Sequence, residues 1–189
     1  MSQALDQMEA DELLRLLREH AYKEGTFKLA SGRTSDFYID IRRVALSSRG
    51  HWKLGGALLE AVHAMDGEAV AGVALGGCPL ASAVSIICSY RYGREMPALY
   101  VRPKAKDHGT KKLVEAPYTY AKGEQKVVLV EDVITSGGST IRALKTLEAE
   151  GHTCVGVVVV IDREEGGVVE VAKHISEVRS LFQRRHFVT

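Results

Sequence analysis

VVLVEDVITSGGST, residues 127–140, decides the fold. Four apolar residues (Val127, Val128, Leu129, Val130) run into two adjacent acids, Glu131 and Asp132. A turn of Thr, Ser and Gly follows, and a helical pattern opens at Ser139. This reads as a buried strand that delivers the chain to a helix N-terminus. Glycines let backbone N–H groups come close to an anion. The hydroxyls of Thr135, Ser136, Ser139 and Thr140 add donors, and the unpaired amides and dipole of the helix favour negative charge. Carboxylates beside a phosphate repel it unless they face something else. Ionised Glu and Asp only accept hydrogen bonds, so the vicinal hydroxyls of a sugar are their natural partner. The stretch therefore reads as a cradle for a ribose 5-phosphate. The plainer alternative is a βα turn whose acids cap a helix.

Working outward, strands and helices alternate. Residues 5–20 carry Leu13, Leu14, Leu16 and Leu17 among charges, an amphipathic helix. Residues 37–41 alternate as a strand. Ser47 or Ser48 caps a helix through Trp52, Leu54, Leu58, Leu59 and Val62. A strand at 69–75 turns at Gly76-Gly77 into a helix with Pro79 in its first turn, reaching about Tyr92. Strands at 98–101, 127–130, 154–161 and 178–183 complete the pattern, with a helix at 139–150 closed by Gly151. The alternation predicts an α/β fold, a mostly parallel sheet flanked by helices, with the N-terminal third as a separate cap. We expect one domain over 1–189, with a cap at about 1–45 and an α/β core at about 46–189. Ligands bind such sheets beyond the carboxyl ends of the strands. Four loops leave those ends: Gly76-Gly77, 102–125, 131–138 and 162–167.

The 189 residues suffice to bury about 70% of the unfolded surface. With 46% hydrophobic and 26% charged residues and a net charge of +1, composition gives no reason to expect nucleic acid or a membrane as partner. The acidic start, MSQALDQMEADELL, has no apolar secretory core, and no run of about 18 apolar residues occurs. Cys78, Cys88 and Cys154 lack Cys-x-x-Cys spacing, which fits packing roles in a reducing cytoplasm and argues against zinc. No Gly-x4-Gly-Lys-Ser/Thr or Gly-x-Gly-x-x-Gly string occurs, which counts against P-loop and dinucleotide folds.

RPKAKDHGTKK, residues 102–112, has five basic side chains, one acid and one histidine. A loop of some two dozen residues in a compact domain is usually functional or disordered. Gly109 and Gly123 permit motion, and the charge suits a polyanion, so a mobile lid is expected. An RNA-binding hairpin fits less well, because Tyr118 and Tyr120 are its only stacking partners.

The 127–140 string resembles the phosphoribosyl diphosphate (PRPP) signature of type I phosphoribosyltransferases. Glu131 and Asp132 stand at its acidic positions, Thr135 at its first Thr, and Gly137 and Gly138 in a turn one step longer than usual. The loop is similar to that of the orotate-using branch, Arg-Lys-x-x-Lys-x-His-Gly, with Arg102, Lys106, Asp107, His108 and Gly109 in place. Pro103 replaces one Lys, and Lys104 follows it. Residues 27–40 resemble the branch's Ser-Gly-x-x-Ser-x-x-Tyr segment, with Ala30 where some members have Lys. Gly76-Gly77 replaces another Lys. The resemblance runs from about 13 to 182.

It implies a type I phosphoribosyltransferase fold and transfer of the phosphoribosyl group from PRPP to orotate in de novo UMP synthesis. It implies PRPP contacts from Arg102, Lys104, Lys106, His108, Glu131, Asp132, Val133, Ile134, Thr135, Ser136, Gly137, Gly138 and Ser139. Lys106, His108 and Asp132 are the implied catalytic residues, and Thr135, Arg163 and Tyr38 the implied orotate contacts. Mg2+ is expected with no direct protein ligand, held by substrate and water. A homodimer is implied, the 102–112 loop serving the neighbouring subunit. The alternatives are a transferase for another base and a non-catalytic PRPP sensor. The loop and Arg163 favour orotate, and a sensor has no need of Lys106 and His108. Without the resemblance, Arg163 reads as a salt-bridge partner of Asp162, Glu164 or Glu165, and Tyr38 as a core aromatic.

Overall fold

The computed structural model of the chain describes residues 7–28, 34–103 and 112–188. Helix α1 (Gln7–His20) leads into a hairpin of β1 (Tyr22–Lys28) and β2 (Thr34–Ile39), then α2 (Arg42–Ala45) and α3 (Ser48–His63). Strand and helix alternate from there: β3 (Ala69–Val73), α4 (Gly77–Tyr92), β4 (Ala98–Val101), β5 (Val114–Glu115), β6 (Lys126–Ile134), α5 (Gly138–Ala149), β7 (Thr153–Asp162), α6 (Gly167–Val171) and β8 (Val178–Gln183). A 3-10 turn, Arg184–His186, follows.

The main sheet has the order β5-β4-β3-β6-β7-β8. Only β5 runs antiparallel. From β3 the chain steps outward to β4, then returns to lay β6 on the other side of β3. That reversal opens a crevice beyond the carboxyl ends of β3 and β6, where doubly wound sheets take their ligands. Glu131 and Asp132 sit at that end of β6.

Both faces of the sheet are covered, which is why its strands read as unbroken apolar runs. Val70, Val128, Val130, Val158 and Val160 pack on one face with Leu13 and Leu17 of α1, Leu54 and Leu58 of α3, and Leu80 and Val84 of α4. Ala71, Leu99, Val127, Leu129, Val157 and Val159 pack on the other with Ala143, Leu144 and Leu147 of α5. Each fully buried Leu or Val is worth about 1.5–3 kcal/mol. Ser47 is the N-cap of α3, its Oγ accepting from Gly50 N at 3.1 Å.

The hairpin is fastened by the C-terminal tail. Tyr22 and Phe187 rings lie 5.7 Å apart, Arg18 Nε donates to His186 O at 2.7 Å, and Arg184 Nη2 lies 2.6 Å from Asp36 Oδ2.

Several elements differ from the sequence reading. β6 does not stop at the acids but continues to Ile134, because its pairing with β7 holds as far as Ile134↔Asp162. β1, α2, β5 and α6 were not anticipated. Strand β1, YKEGTFK, is polar and pairs only with β2, so nothing in its own composition marks it. Cys88 is buried, but Cys78 and Cys154 are partly exposed, so full burial is not the role of all three. Among the described residues no helix is long and apolar enough to cross a membrane.

Candidate active site

Successive strand residues point to opposite faces, and this separates the two acids. Glu131 is 5% exposed and turns toward α5, where Thr140 Oγ1 donates to its Oε2 at 3.1 Å. Asp132 turns the other way, toward the β3–α4 turn. Its Oδ1 accepts from Val133 N at 2.9 Å, and its Oδ2 lies against Gly76. A Cβ at Gly76 would stand 2.0 Å from that oxygen, so any larger residue displaces either the turn or the carboxylate.

Burial, and then the neighbouring Asp132 charge, push the Glu131 carboxyl up to about 8, while the Thr140 and Ser139 hydroxyls pull it back. Asp132 is also raised by burial, with the Val133 amide and the Arg42 charge opposing. Burial thus holds both carboxyls of the pair above the usual carboxylate range.

The turn after β6 is the candidate anion end. Gly137 is the N-cap of α5 at φ +78°, with no side-chain cap. A Cβ there would lie 2.8 Å from Gly167 O at the start of α6, so glycine is required by both conformation and contact. Ile141 N closes the first helical bond on Gly137 O at 2.9 Å. The amides of Gly138, Ser139 and Thr140 precede it, in the turn that has no intrahelical acceptor. Thr135 is partly exposed, as is Gly138, and Ser136 and Ser139 are exposed. Ile134 is a core side chain, and its carbonyl accepts from Arg163 N at 3.1 Å. Val133 and Ile134 can therefore offer a ligand little beyond backbone.

The end of β7 carries the candidate base site. Arg163 is buried, its Nε 2.9 Å from Glu165 Oε1 and its Cζ 4.2 Å above the Phe37 ring. Arg184 lies over the same ring, its Cζ 4.9 Å from the centroid. The ion pair with Glu165 that the plainer reading anticipated is thus present, and the stack holds the guanidinium plane as well. Tyr38 is not a core aromatic: strand alternation buries Phe37 and leaves Tyr38 39% exposed beside Phe27, ring centroids 5.5 Å apart.

Of the basic loop, Arg102 is described. Its Nε lies 3.0 Å from Glu115 Oε1. Lys104, Lys106, Asp107, His108 and Gly109 lie outside the described residues, as does Ala30.

Sequence reasoning missed Phe37, Gly76 as the partner of Asp132, and Arg42. Arg42 binds Asp40 through two bonds, Nε–Oδ1 at 2.7 Å and Nη2–Oδ2 at 3.0 Å. Its charge also acts on Asp132 from the hood side. The Phe37-Tyr38 alternation could have assigned one aromatic to the interior. No local signal pointed to Arg42.

A crevice at the strand reversal, an acid pair on one wall and an uncapped helix N-terminus on the other define a phosphoribosyl transferase, and that domain family matches residues 55–187. The orotate phosphoribosyltransferase of Sorangium cellulosum is 45% identical over 181 residues, 95% of this chain and 93% of that protein. The solved orotate phosphoribosyltransferase of Mycobacterium tuberculosis in complex with Fe(III) dicitrate superimposes with TM-score 0.79 at 31% identity, covering 96% of this chain and 99% of that one. The same enzyme in complex with PRPP gives TM-score 0.76 at 25% identity, covering 99% and 96%. This chain belongs to the orotate phosphoribosyltransferase family.

Proposed function

We propose that the chain transfers the 5-phosphoribosyl group of PRPP to orotate in de novo UMP synthesis, in the cytoplasm. A bond forms between a ring nitrogen of orotate, which gives up its proton, and C1 of the sugar. The bond from C1 to pyrophosphate breaks, and orotidine 5′-monophosphate and pyrophosphate leave. The supporting observation is the acid pair beside the uncapped start of α5, with Arg163 held over the Phe37 ring at the neighbouring strand end.

In this reading Glu131 and Asp132 hold the ribose hydroxyls and lie near the positive charge that develops on the sugar. Placement and charge stabilisation then supply most of the rate. Residues 135–139 bind the 5′-phosphate. Arg102, Lys104, Lys106 and His108 close over the pyrophosphate and exclude water. The hood (1–45) and the core (46–189) work as one catalytic unit.

Two carboxylates fit Mg2+ held mainly through substrate phosphates and water; among the described residues no cluster of three or more metal-ligating side chains gathers to cage it. Bound there, with Asp132 reaching it through water, the ion would neutralise charge on the pyrophosphate.

Arg163 matches the orotate carboxylate through parallel hydrogen bonds, and Tyr38 flanks the ring. Arg163→Ala is expected to raise KM for orotate by about tenfold or more, the cost of losing a charged hydrogen-bond partner, while PRPP affinity survives. Equal loss of both would reduce Arg163 to a structural ion pair. The decisive assay follows orotate absorbance with PRPP and Mg2+, beside a panel of purine and pyrimidine bases. Consumption of another base in preference to orotate would overturn the assignment.

The reading includes a homodimer in which the 102–112 loop serves the neighbouring site. Helix α4, GCPLASAVSIICSYRY, is largely apolar, with a stripe of Ser82, Ser85 and Ser89. Yet Ile86 and Tyr90 are exposed on it. A groove of about 330 Å³ runs between this helix and residues 117–119, with the fully exposed Tyr118 at its rim. A knob and a hollow on one chain suit a two-fold contact with a second copy. Light scattering is expected to give twice the 20.6 kDa chain mass, and Ile86→Glu to give the single mass. A monomer in the parent protein would exclude the shared site.

A further inference from the structure

The foot of the basic loop is built from β4 and β5. Tyr100 pairs with Glu115 and Val101 with Val114. Arg102 N then donates to Leu113 O at 2.8 Å. Leu113 N donates in turn to Glu150 Oε1 near the end of α5, at 2.7 Å. The two stems are thus tied to each other by a backbone bond and to α5 by the Glu150 side chain.

Side chains two apart on a strand share a face, so Tyr100, Arg102 and Glu115 lie together. Tyr100 OH is 2.5 Å from Ser82 Oγ of α4, which turns this face toward α4 and the β3–α4 turn. Burial pushes the Cys78 thiol in the first turn of α4 upward, and the Arg102 charge partly offsets it. On this face Glu115 occupies the Nε edge of Arg102 at 3.0 Å.

We propose that Glu115 is a resident counter-ion that holds Arg102 in the empty enzyme and yields it to the pyrophosphate end of the substrate. This rests on the reading of Arg102 as a pyrophosphate contact. A carboxylate beside a guanidinium can act in two opposed ways. It can orient the cation, which strengthens ligand binding, or compete for it, which weakens binding. Here the Arg102–Leu113 backbone bond already fixes where the Arg102 side chain leaves the main chain, without help from Glu115. Both side chains are more than a third exposed, 36% and 41%, so the pair is weak enough to exchange for a multiply charged anion. Competition therefore outweighs orientation. The consequence falls on the product: with Glu115 waiting, pyrophosphate leaves more readily.

Glu115→Gln keeps an oxygen for the Arg102 N–H and removes the charge, which separates the two effects. Titration calorimetry with inorganic pyrophosphate and Mg2+ is expected to show about two- to fivefold tighter binding in the variant at low salt, the range of a single exposed ion pair. The difference is expected to close at about 0.5 M salt, where screening falls to a few ångströms. Equal or weaker binding by Glu115→Gln at low salt would overturn the proposal. Arg102→Ala, titrated alongside, is expected to lose affinity; if it binds pyrophosphate like the parent, the pyrophosphate reading of Arg102 itself falls.

Discussion

Glu131→Gln yields a protein that is slower than the parent by about 10²- to 10³-fold, the usual cost of removing one preorganised group from a transition-state site, yet is more stable at alkaline pH. The two effects share a cause. Glu131 is buried beside Asp132, and its carboxyl titrates at about 8 in the fold against 4.5 ordinarily. A carboxyl whose folded value is raised costs nothing at low pH, where it is protonated in both states. Its cost grows as pH rises from about 4.5 to about 8, because the unfolded chain gives up the proton first, and it stays at its full value above that. Glutamine never ionises and can still accept from Thr140 Oγ1. Melting curves of parent and variant should coincide near pH 4.5 and diverge toward pH 9, the variant melting higher. Parallel curves across that range would mean that the pair is not held against ionisation. Stability given up at a buried acid is what a binding site requires when the ligand, rather than the protein, supplies the partners.

Gly76→Ala tests the other wall. The added methyl would stand 2.0 Å from Asp132 Oδ2 and 2.4 Å from its Cγ, well inside any allowed contact. Either the β3–α4 turn retreats or Asp132 does. Overpacking of this kind costs about 1–3 kcal/mol of stability. The functional cost is larger, since a displacement of about 1 Å at a reacting centre can lose 10²-fold in rate. We expect kcat/KM for PRPP to fall by about 10²-fold with the fold retained by circular dichroism. A variant with parental kinetics would show that Asp132 is not held in place by this contact. At Gly93, where an added Cβ meets nothing within 4 Å but φ is +63°, the same substitution should cost stability without touching catalysis.

The sequence was most legible where one short segment contains its own chemistry. Residues 127–140 hold strand, acids, turn and helix start together, and the parallel order of β3, β4, β6, β7 and β8 follows from alternation with α4 and α5. It was least legible where partners lie far apart. Phe37 has a role only because Arg163 and Arg184 arrive from beyond residue 160, and the Asp36–Arg184 pair spans 148 positions. Gly76 reads as a turn glycine until β6 brings Asp132 against it. β5 is two residues long, too short to leave a period. An ion pair of Arg163 with a neighbouring acid was legible among Asp162, Glu164 and Glu165, but its place over Phe37 was not.

The Phe37 ring, gripped by one guanidinium from the end of β7 and by another from the tail after β8, makes the hood and the tail a single mechanical part. Whatever tilts that aromatic plate tilts Arg163 with it. In the proposed reading, selectivity for the incoming base then depends on how Phe37 of β2 is moored as well as on the cation that would greet the carboxylate.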